Sequence, residues 1–90
     1  MQKDEVIKIV KETTAKNGIK KAFLFGSFAR GEKYRDLDIV IEAPKEFTLM
    51  DLARVANEIK EKIHLEVDLI TTRSINPRMK HSIQKDMMAI

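Results

Sequence analysis

Three short apolar runs constrain this chain more than any other feature of its sequence. Residues 22–25, 37–41 and 65–71 are rich in Leu, Ile, Val and Phe, and each is too short for a helix that buries one face. Gly26 ends the first run, and an aspartate interrupts each of the other two. The runs therefore predict three strands of one sheet.

The segments between these runs carry the apolar spacing of amphipathic helices. We expect helices over about 4–17, 49–62 and 77–86, and a loop or a single helical turn over 27–35. The last four residues, 87–90, are too few to assign. Capping signals mark the helix ends: Asn17 before Gly18, Thr48 three residues before Asp51, and Asn76 before Pro77.

Helices and strands alternate along the chain, which predicts an α/β or α+β architecture, a small sheet with helices packed on it. The connection between the first two strands has about ten residues, which is short for a parallel crossover. We therefore expect a mixed sheet. Ninety residues suit a single domain that spans positions 1–90.

The composition excludes several classes of protein. Cysteine is absent, which excludes disulfides and thiolate metal sites. No apolar stretch is long enough to span a membrane, and the charged N-terminus is unlike a signal peptide, so we expect a cytoplasmic protein. A net charge of +3 permits an anionic partner but gives little support to nucleic-acid binding, because nucleic-acid binders concentrate their positive charge.

Two aspartates at the second predicted strand are the first candidate for chemistry. Asp36 and Asp38 are two residues apart, so both side chains leave the same face of the strand. Asp36 could simply cap a turn, but Asp38 is surrounded by apolar residues, where a carboxylate is disfavoured. Asp68 repeats this pattern in the third strand. Three carboxylates on one small sheet are a candidate site for one or two Mg²⁺ ions. The pattern alone supports a metal site and the absence of one about equally.

Gly26-Ser27 supplies a complement to the carboxylates. A glycine directly after a strand lets the backbone approach a ligand, and the amides and hydroxyl that follow can bind phosphate. Alone, such a pair is usually only a turn. Arg30 in the next loop could offset the charge of phosphate oxygens, whereas Lys33 is better explained as part of a solvated surface. Together with the carboxylates, these residues predict a site for a nucleoside triphosphate and its Mg²⁺.

This pattern resembles the signature of the DNA polymerase β-like nucleotidyltransferase superfamily, and most of all its minimal nucleotidyltransferase (MNT) branch. The resemblance extends to the strand around Asp68 and to the helix that follows Asn76, so it covers nearly the whole chain. The residues that carry it are Gly26-Ser27, Ala29-Arg30-Gly31, and Asp36-x-Asp38 followed by Ile39-Val40-Ile41.

The resemblance implies a polymerase β-like fold and a two-metal transfer reaction. Asp36, Asp38 and Asp68 would be catalytic and would hold two Mg²⁺, while Gly26, Ser27 and Arg30 would bind ATP. A hydroxyl would attack the α-phosphorus, pyrophosphate would leave, and a nucleoside monophosphate, AMP in this interpretation, would be transferred. Small members of the family act as antitoxins of HEPN-domain toxins, which implies a helical HEPN-type protein as partner and acceptor.

Alternative interpretations remain open at this point. Ser27 and Asp36 are separated by eight residues, a loop shorter than the family's usual one, which favours a weak or inactive protein that neutralises its partner by stoichiometric contact. Nucleic-acid binding is a third and less supported interpretation. The methionines near the C-terminus indicate a packed tail or an interface, so an oligomer stays open as well: Met79, Met87 and Met88.

Overall fold

A computed structural model describes residues 2–90, in which four strands and four α-helices form one folded unit. A short 3₁₀ turn, Thr72–Ser74, joins the last two large elements. The elements in chain order are α1 (Lys3–Lys16), β1 (Lys21–Phe25), α2 (Gly26–Ala29), β2 (Asp36–Glu42), α3 (Leu49–Ile63), β3 (Glu66–Thr71), α4 (Pro77–Asp86) and β4 (Met88–Ala89).

The four strands form a mixed sheet in the order β3-β2-β1-β4. β1 pairs antiparallel with β2, and β3 pairs parallel with β2 after the crossover through α3. The predicted mixed sheet is thus confirmed, and the short loop between β1 and β2 explains the antiparallel pair. β4 is the element that the sequence left unassigned, since two residues give no periodic pattern. It pairs with β1 through Leu24 and Met88 and so ties the C-terminal tail to the sheet.

Side-chain alternation along the strands separates an apolar face from an acidic one. Leu24, Leu37 and Ile39 point to the apolar face and are fully buried. The helices α1 and α3 cover that face and complete the core with apolar side chains at helical spacing: Val6, Val10, Val55, Ile59 and Ile63. The acidic residues of β2 and β3 lie on the other face of the sheet, away from this core.

The helix ends follow the predicted capping chemistry. At α3 the Asp51 N–H donates to Thr48 Oγ1 at 3.1 Å, and the Thr48 N–H donates to Asp51 Oδ2 at 2.8 Å. At α4 the Asn76 side chain accepts from the Arg78 N–H at 2.9 Å. The other end of α3 lies one residue beyond the predicted end, and no glycine marks it, because His64 takes the left-handed conformation there with φ of 59°. Among residues 2–90, no helix is both long and apolar enough to cross a bilayer.

Loss of the α3 cap should destabilise the fold by a measurable amount. We expect Thr48→Ala to lower the free energy of unfolding by about 1 kcal/mol, because the Asp51 backbone N–H loses its side-chain acceptor. Thr72→Ala, at an exposed threonine outside any cap, is the matched control and should cost less than about 0.5 kcal/mol. Urea denaturation followed by circular dichroism measures both, and equal losses would contradict the capping account.

Candidate active site

Three aspartates converge on the acidic face of the sheet. Asp36 and Asp38 lie two residues apart on β2 and therefore share a face. Asp68 of β3 is the direct register partner of Asp38, and Glu66 is the partner of Asp36. Parallel register partners point to the same side of a sheet, so all four carboxyl groups lie on this face. Asp38 is half-buried, whereas the other three are exposed.

The turn after β1 approaches Asp38 so closely that only glycine fits. Gly26 has φ of +73°, and a Cβ built on it would overlap Asp38 Oδ2 and lie 3.3 Å from Asp38 Cγ. The register explains this contact, because Phe25, the last residue of β1, pairs with Asp38 across the sheet. Backbone and carboxyl group therefore meet without a side chain between them. The sequence predicted a close approach of Gly26 to a ligand, and the group that the structure places there is the Asp38 carboxyl.

The single turn α2 is held against the core by one aromatic side chain. Phe28 is 1% exposed, and its ring packs edge-on against Tyr34 with 4.6 Å between centroids. The Glu32 N–H donates to the Ser27 carbonyl at 3.0 Å and closes the loop. The predicted loop or helical turn over 27–35 is therefore a helical turn followed by an irregular loop, and Gly26 and Ser27 begin it.

The electrostatics of the face centre on Asp38. Burial raises the pKa of the Asp38 carboxyl above its ordinary value, and the negative charges of Asp68 and then Asp36 raise it further. Arg30 acts in the opposite direction, so its positive charge lies close enough to be felt at Asp38. The carboxylates thus repel one another, and a cation among them would relieve both the repulsion and the cost of burial.

The donor set suits a hard divalent cation, although the side chains are not closed around one. Carboxylate oxygens from Asp36, Asp38 and Asp68 are the ligands that Mg²⁺ prefers. Across residues 2–90, however, no three Asp, Glu or His side chains stand close enough together to hold a metal ion as placed. Like charges oppose such closure when no cation is present. The sheet supplies the ligands on one face, and small side-chain movements would have to complete the site.

Arg30 is engaged in ion pairs in this structure. Its Nε donates to Glu32 Oε1 at 2.8 Å, and its Nη1 donates to Asp86 Oδ2 at 2.9 Å. These hydrogen bonds raise the pKa of Arg30, which stays charged. The pair with Asp86 joins the loop after α2 to the end of α4, 56 residues further along the chain. Arg30 therefore lies near the acidic face, but two carboxylates already offset the charge that the sequence predicted for phosphate oxygens.

A cavity of about 320 Å³ opens between the α2 turn and α4, beside the acidic face. Sequence reasoning identified Gly26 and Arg30 in its wall but none of the α4 residues, because the pattern of α4 shows an amphipathic helix and not what the helix faces. Its wall combines residues of β1, α2 and α4: Phe25, Gly26, Arg30, Arg78, Ile83 and Asp86.

A larger cavity, of about 650 Å³, lies at the start of β3 and the end of α3. Its wall contains none of the six predicted site residues. Lys60 and Glu66, which both line it, form an ion pair at 3.1 Å. Five of the six residues that the sequence identified therefore belong to the smaller cavity or the acidic face, and Ser27 lines neither cavity. The larger cavity shares only Glu66 with the acidic face.

A family model and the similar proteins all indicate nucleotidyltransferases. The model of the family described as "Polymerase beta, Nucleotidyltransferase" matches residues 7–90. A Methanocaldococcus jannaschii protein named "Putative protein adenylyltransferase" is 38% identical over 77 residues, which cover 83% of this chain and 83% of that protein.

Two solved structures share the fold over almost the whole chain. The structure of a minimal nucleotidyltransferase superposes with a TM-score of 0.84 at 24% identity and covers 100% of this chain and 97% of that one. A chain from the complex of a tri-AMPylated Shewanella oneidensis HEPN toxin with an MNT antitoxin has a TM-score of 0.68 at 21% identity, covering 97% of this chain and 66% of that one.

The contact between Gly26 and Asp38 can be tested with a second glycine as control. Gly31 also has a left-handed conformation, with φ of +76°, but a Cβ there meets nothing within 4 Å. Gly31→Ala should therefore cost only the backbone strain, about 1 kcal/mol. Gly26→Ala should cost more than Gly31→Ala, by about 1 kcal/mol, since the new methyl overlaps Asp38 Oδ2 and the carboxyl group must rotate away from it. Urea denaturation of both variants measures the difference, and equal costs would show that Asp38 does not constrain this turn.

The raised pKa of Asp38 makes a prediction about pH. When the pKa of an aspartate is higher in the folded state than in the unfolded state, the folded protein loses stability as the pH rises from the unfolded pKa to the folded pKa. We therefore expect Asp38→Asn to be more stable than wild type at pH 7 without divalent cations. The advantage should shrink as the pH falls through the raised pKa of Asp38 and should be gone below about 4, where the aspartate is protonated in both states. Thermal denaturation at a series of pH values measures this, and an unchanged or lower stability of Asp38→Asn at pH 7 would contradict it.

Proposed function

This chain belongs to the polymerase β nucleotidyltransferase family as a minimal nucleotidyltransferase domain, and we propose that it transfers AMP from ATP to a hydroxyl group of a partner protein. One observation carries the proposal. The backbone of Gly26 lies directly against the Asp38 carboxyl group, and Asp68 stands beside Asp38 in register. If Gly26 binds phosphate and the aspartates bind metal, the two sites adjoin, and this is the juxtaposition that nucleotidyl transfer requires.

The carboxylates are the proposed metal-binding and catalytic residues. Asp36, Asp38 and Asp68 would hold Mg²⁺, two ions in the full site, and Mg²⁺ supplies Lewis-acid stabilisation of charge on the phosphoryl oxygens. The positive shift in the pKa of Asp38 supports this, since its cause is burial and neighbouring negative charge that a cation would offset. The sheet holds Asp38 and Asp68 as register partners, so backbone pairing sets their separation.

The remaining residues of the site would position the nucleotide and move the proton. Gly26 and Ser27, at the start of α2, would bind the triphosphate, and Arg30 would offset part of its charge. In the reaction a bond forms between the acceptor oxygen and the α-phosphorus, and the bond from the α-phosphorus to the pyrophosphate oxygen breaks. The Asp68 carboxylate, exposed beside Asp38, would accept the hydroxyl proton.

A protein acceptor is supported by the open form of the site. Asp36 and Asp68 are exposed, and the described residues build no wall over them that could enclose a small acceptor. Positioning of the attacking hydroxyl must then come from the acceptor's own surface. The relative named as a protein adenylyltransferase and the structural neighbour from a complex of an AMPylated HEPN toxin and an MNT antitoxin support a HEPN-type partner and an antitoxin role.

A second candidate function has the same fold and the same partner but no transfer of AMP. The two ion pairs of Arg30 and the open arrangement of the carboxylates favour a domain that neutralises its partner by contact alone. Purified partner mixed with this protein separates the two candidates. Transfer predicts that catalytic amounts, with Mg²⁺ and ATP, inactivate the partner and add AMP to it. Contact alone predicts that inactivation needs equal amounts and no nucleotide.

The catalytic assignment can be tested at Asp38. We expect Asp38→Asn to lower Mg²⁺-dependent transfer of labelled AMP by at least about a hundredfold, because it removes a metal ligand while leaving the shape of the side chain. Asp4→Asn, an exposed aspartate on α1, is the matched control and should transfer at the wild-type rate.

The assay uses ATP labelled at the α-phosphate and an acceptor panel that includes a HEPN-type protein, free sugars and nucleotides. Circular dichroism shows that each variant is folded. Wild-type rates for Asp38→Asn would contradict the two-metal assignment. Efficient transfer to a small molecule, with none to any protein, would overturn the protein acceptor.

A further inference from the structure

The proposed function assigns no role to the residues of α4 that line the cavity beside Asp38. Gly26 forms one side of this cavity and touches Asp38, and the first turn of α4 forms the other side through Arg78. A nucleotide whose α-phosphate lies at Asp38 would therefore extend its remaining groups toward α4. The cavity volume of about 320 Å³ is at the lower end for small-molecule sites, and Gly26 in its wall joins it to Asp38 on the acidic face.

The charges in this cavity are unequally available to an anion. Arg30 is paired with Glu32 at 2.8 Å and with Asp86 at 2.9 Å, so its charge is already offset twice. Arg78 lines the same cavity, is exposed, and makes no ion pair with any residue in 2–90. Its guanidinium can form two parallel hydrogen bonds with phosphate oxygens. Arg78 is thus the cation of this wall that is not yet neutralised.

We propose that Arg78 binds the β- and γ-phosphates of the nucleoside triphosphate and so selects triphosphates. The proposal rests on the proposed function, because it places the α-phosphate at Asp38. Arg30 then has a second role besides offsetting part of the triphosphate charge: its pair with Asp86 holds the α2 loop to the end of α4 and keeps the two walls of the cavity together. Arg78 acts from the other end of the same helix, where it faces the nucleotide directly.

A neighbouring lysine makes this proposal specific to one side chain. Lys80 lies two residues along α4, is equally exposed and carries the same charge, but it does not line the cavity. A general attraction of the basic helix for anions would depend on both residues, whereas the proposed contact depends only on Arg78. Arg78→Gln and Lys80→Gln each remove one positive charge from α4, so the comparison isolates position from charge.

Calorimetry in the presence of Mg²⁺ tests the proposal with two probes, ATP and inorganic tripolyphosphate. Arg78→Gln should weaken the binding of both by about tenfold or more, the loss expected for a charge-assisted pair. Lys80→Gln should bind both as wild type does, and Arg78→Lys should lie between wild type and Arg78→Gln. Because binding is measured and not turnover, the result does not depend on finding the acceptor.

Each result separates this inference from the proposed function. Wild-type protein that binds neither probe would overturn the proposed function and this inference with it. Wild-type protein that binds ATP, with equal affinity in Arg78→Gln, would overturn the role of Arg78 alone. Weaker ATP binding with unchanged tripolyphosphate binding would place Arg78 at the nucleoside and would overturn the phosphate contact. Equal losses of affinity in Arg78→Gln and Lys80→Gln would show that the basic helix attracts anions in general, and would overturn the specific contact of Arg78.

Discussion

The close approach of the Gly26 backbone to the Asp38 carboxyl group is the constraint on which the rest of this structure depends. It follows from the antiparallel register that pairs Phe25 with Asp38, so the turn after β1 emerges directly over the carboxylate. No residue with a Cβ fits there without displacing Asp38. The turn, the strand pairing and the acidic face are therefore one unit, and a change in any of them moves the other two.

One face of the sheet packs into the core and stabilises the fold, and the other face carries the candidate site. Leu24, Leu37 and Ile39 bury one face beneath α1 and α3, and this burial stabilises strands that also carry unfavourably placed carboxylates. Asp38 is half-buried and repelled by Asp68 and Asp36, so the fold holds a locally unfavourable arrangement on a well-packed core. Such an arrangement is typical of binding sites, where the cost is recovered when a ligand of opposite charge is bound.

Much of this could be predicted from the sequence, because the informative features are local. The spacing of Asp36 and Asp38 fixes their common face, and Thr48 with Asp51 predicts a cap that the structure contains. The site residues that were missed lie on α4. Arg78 enters the cavity through the packing of α4 beside α2, and no pattern within residues 77–86 determines which side of that helix faces the site. Likewise, the ion pair of Arg30 with Asp86 joins residues 56 apart, and no local signal predicts it.

We propose that the Asp38 carboxylate and the backbone at Gly26 together form one site for a metal-bound nucleotide. Diffraction from crystals grown with Mn²⁺ and a non-hydrolysable ATP analogue tests it most directly, since the anomalous signal locates the metal independently of the nucleotide. We expect Mn²⁺ bound to Asp38 with metal–oxygen distances of about 2.1 Å, and the triphosphate against Gly26. Mn²⁺ and nucleotide bound together elsewhere, with the Asp38 carboxylate free of metal, would contradict the account.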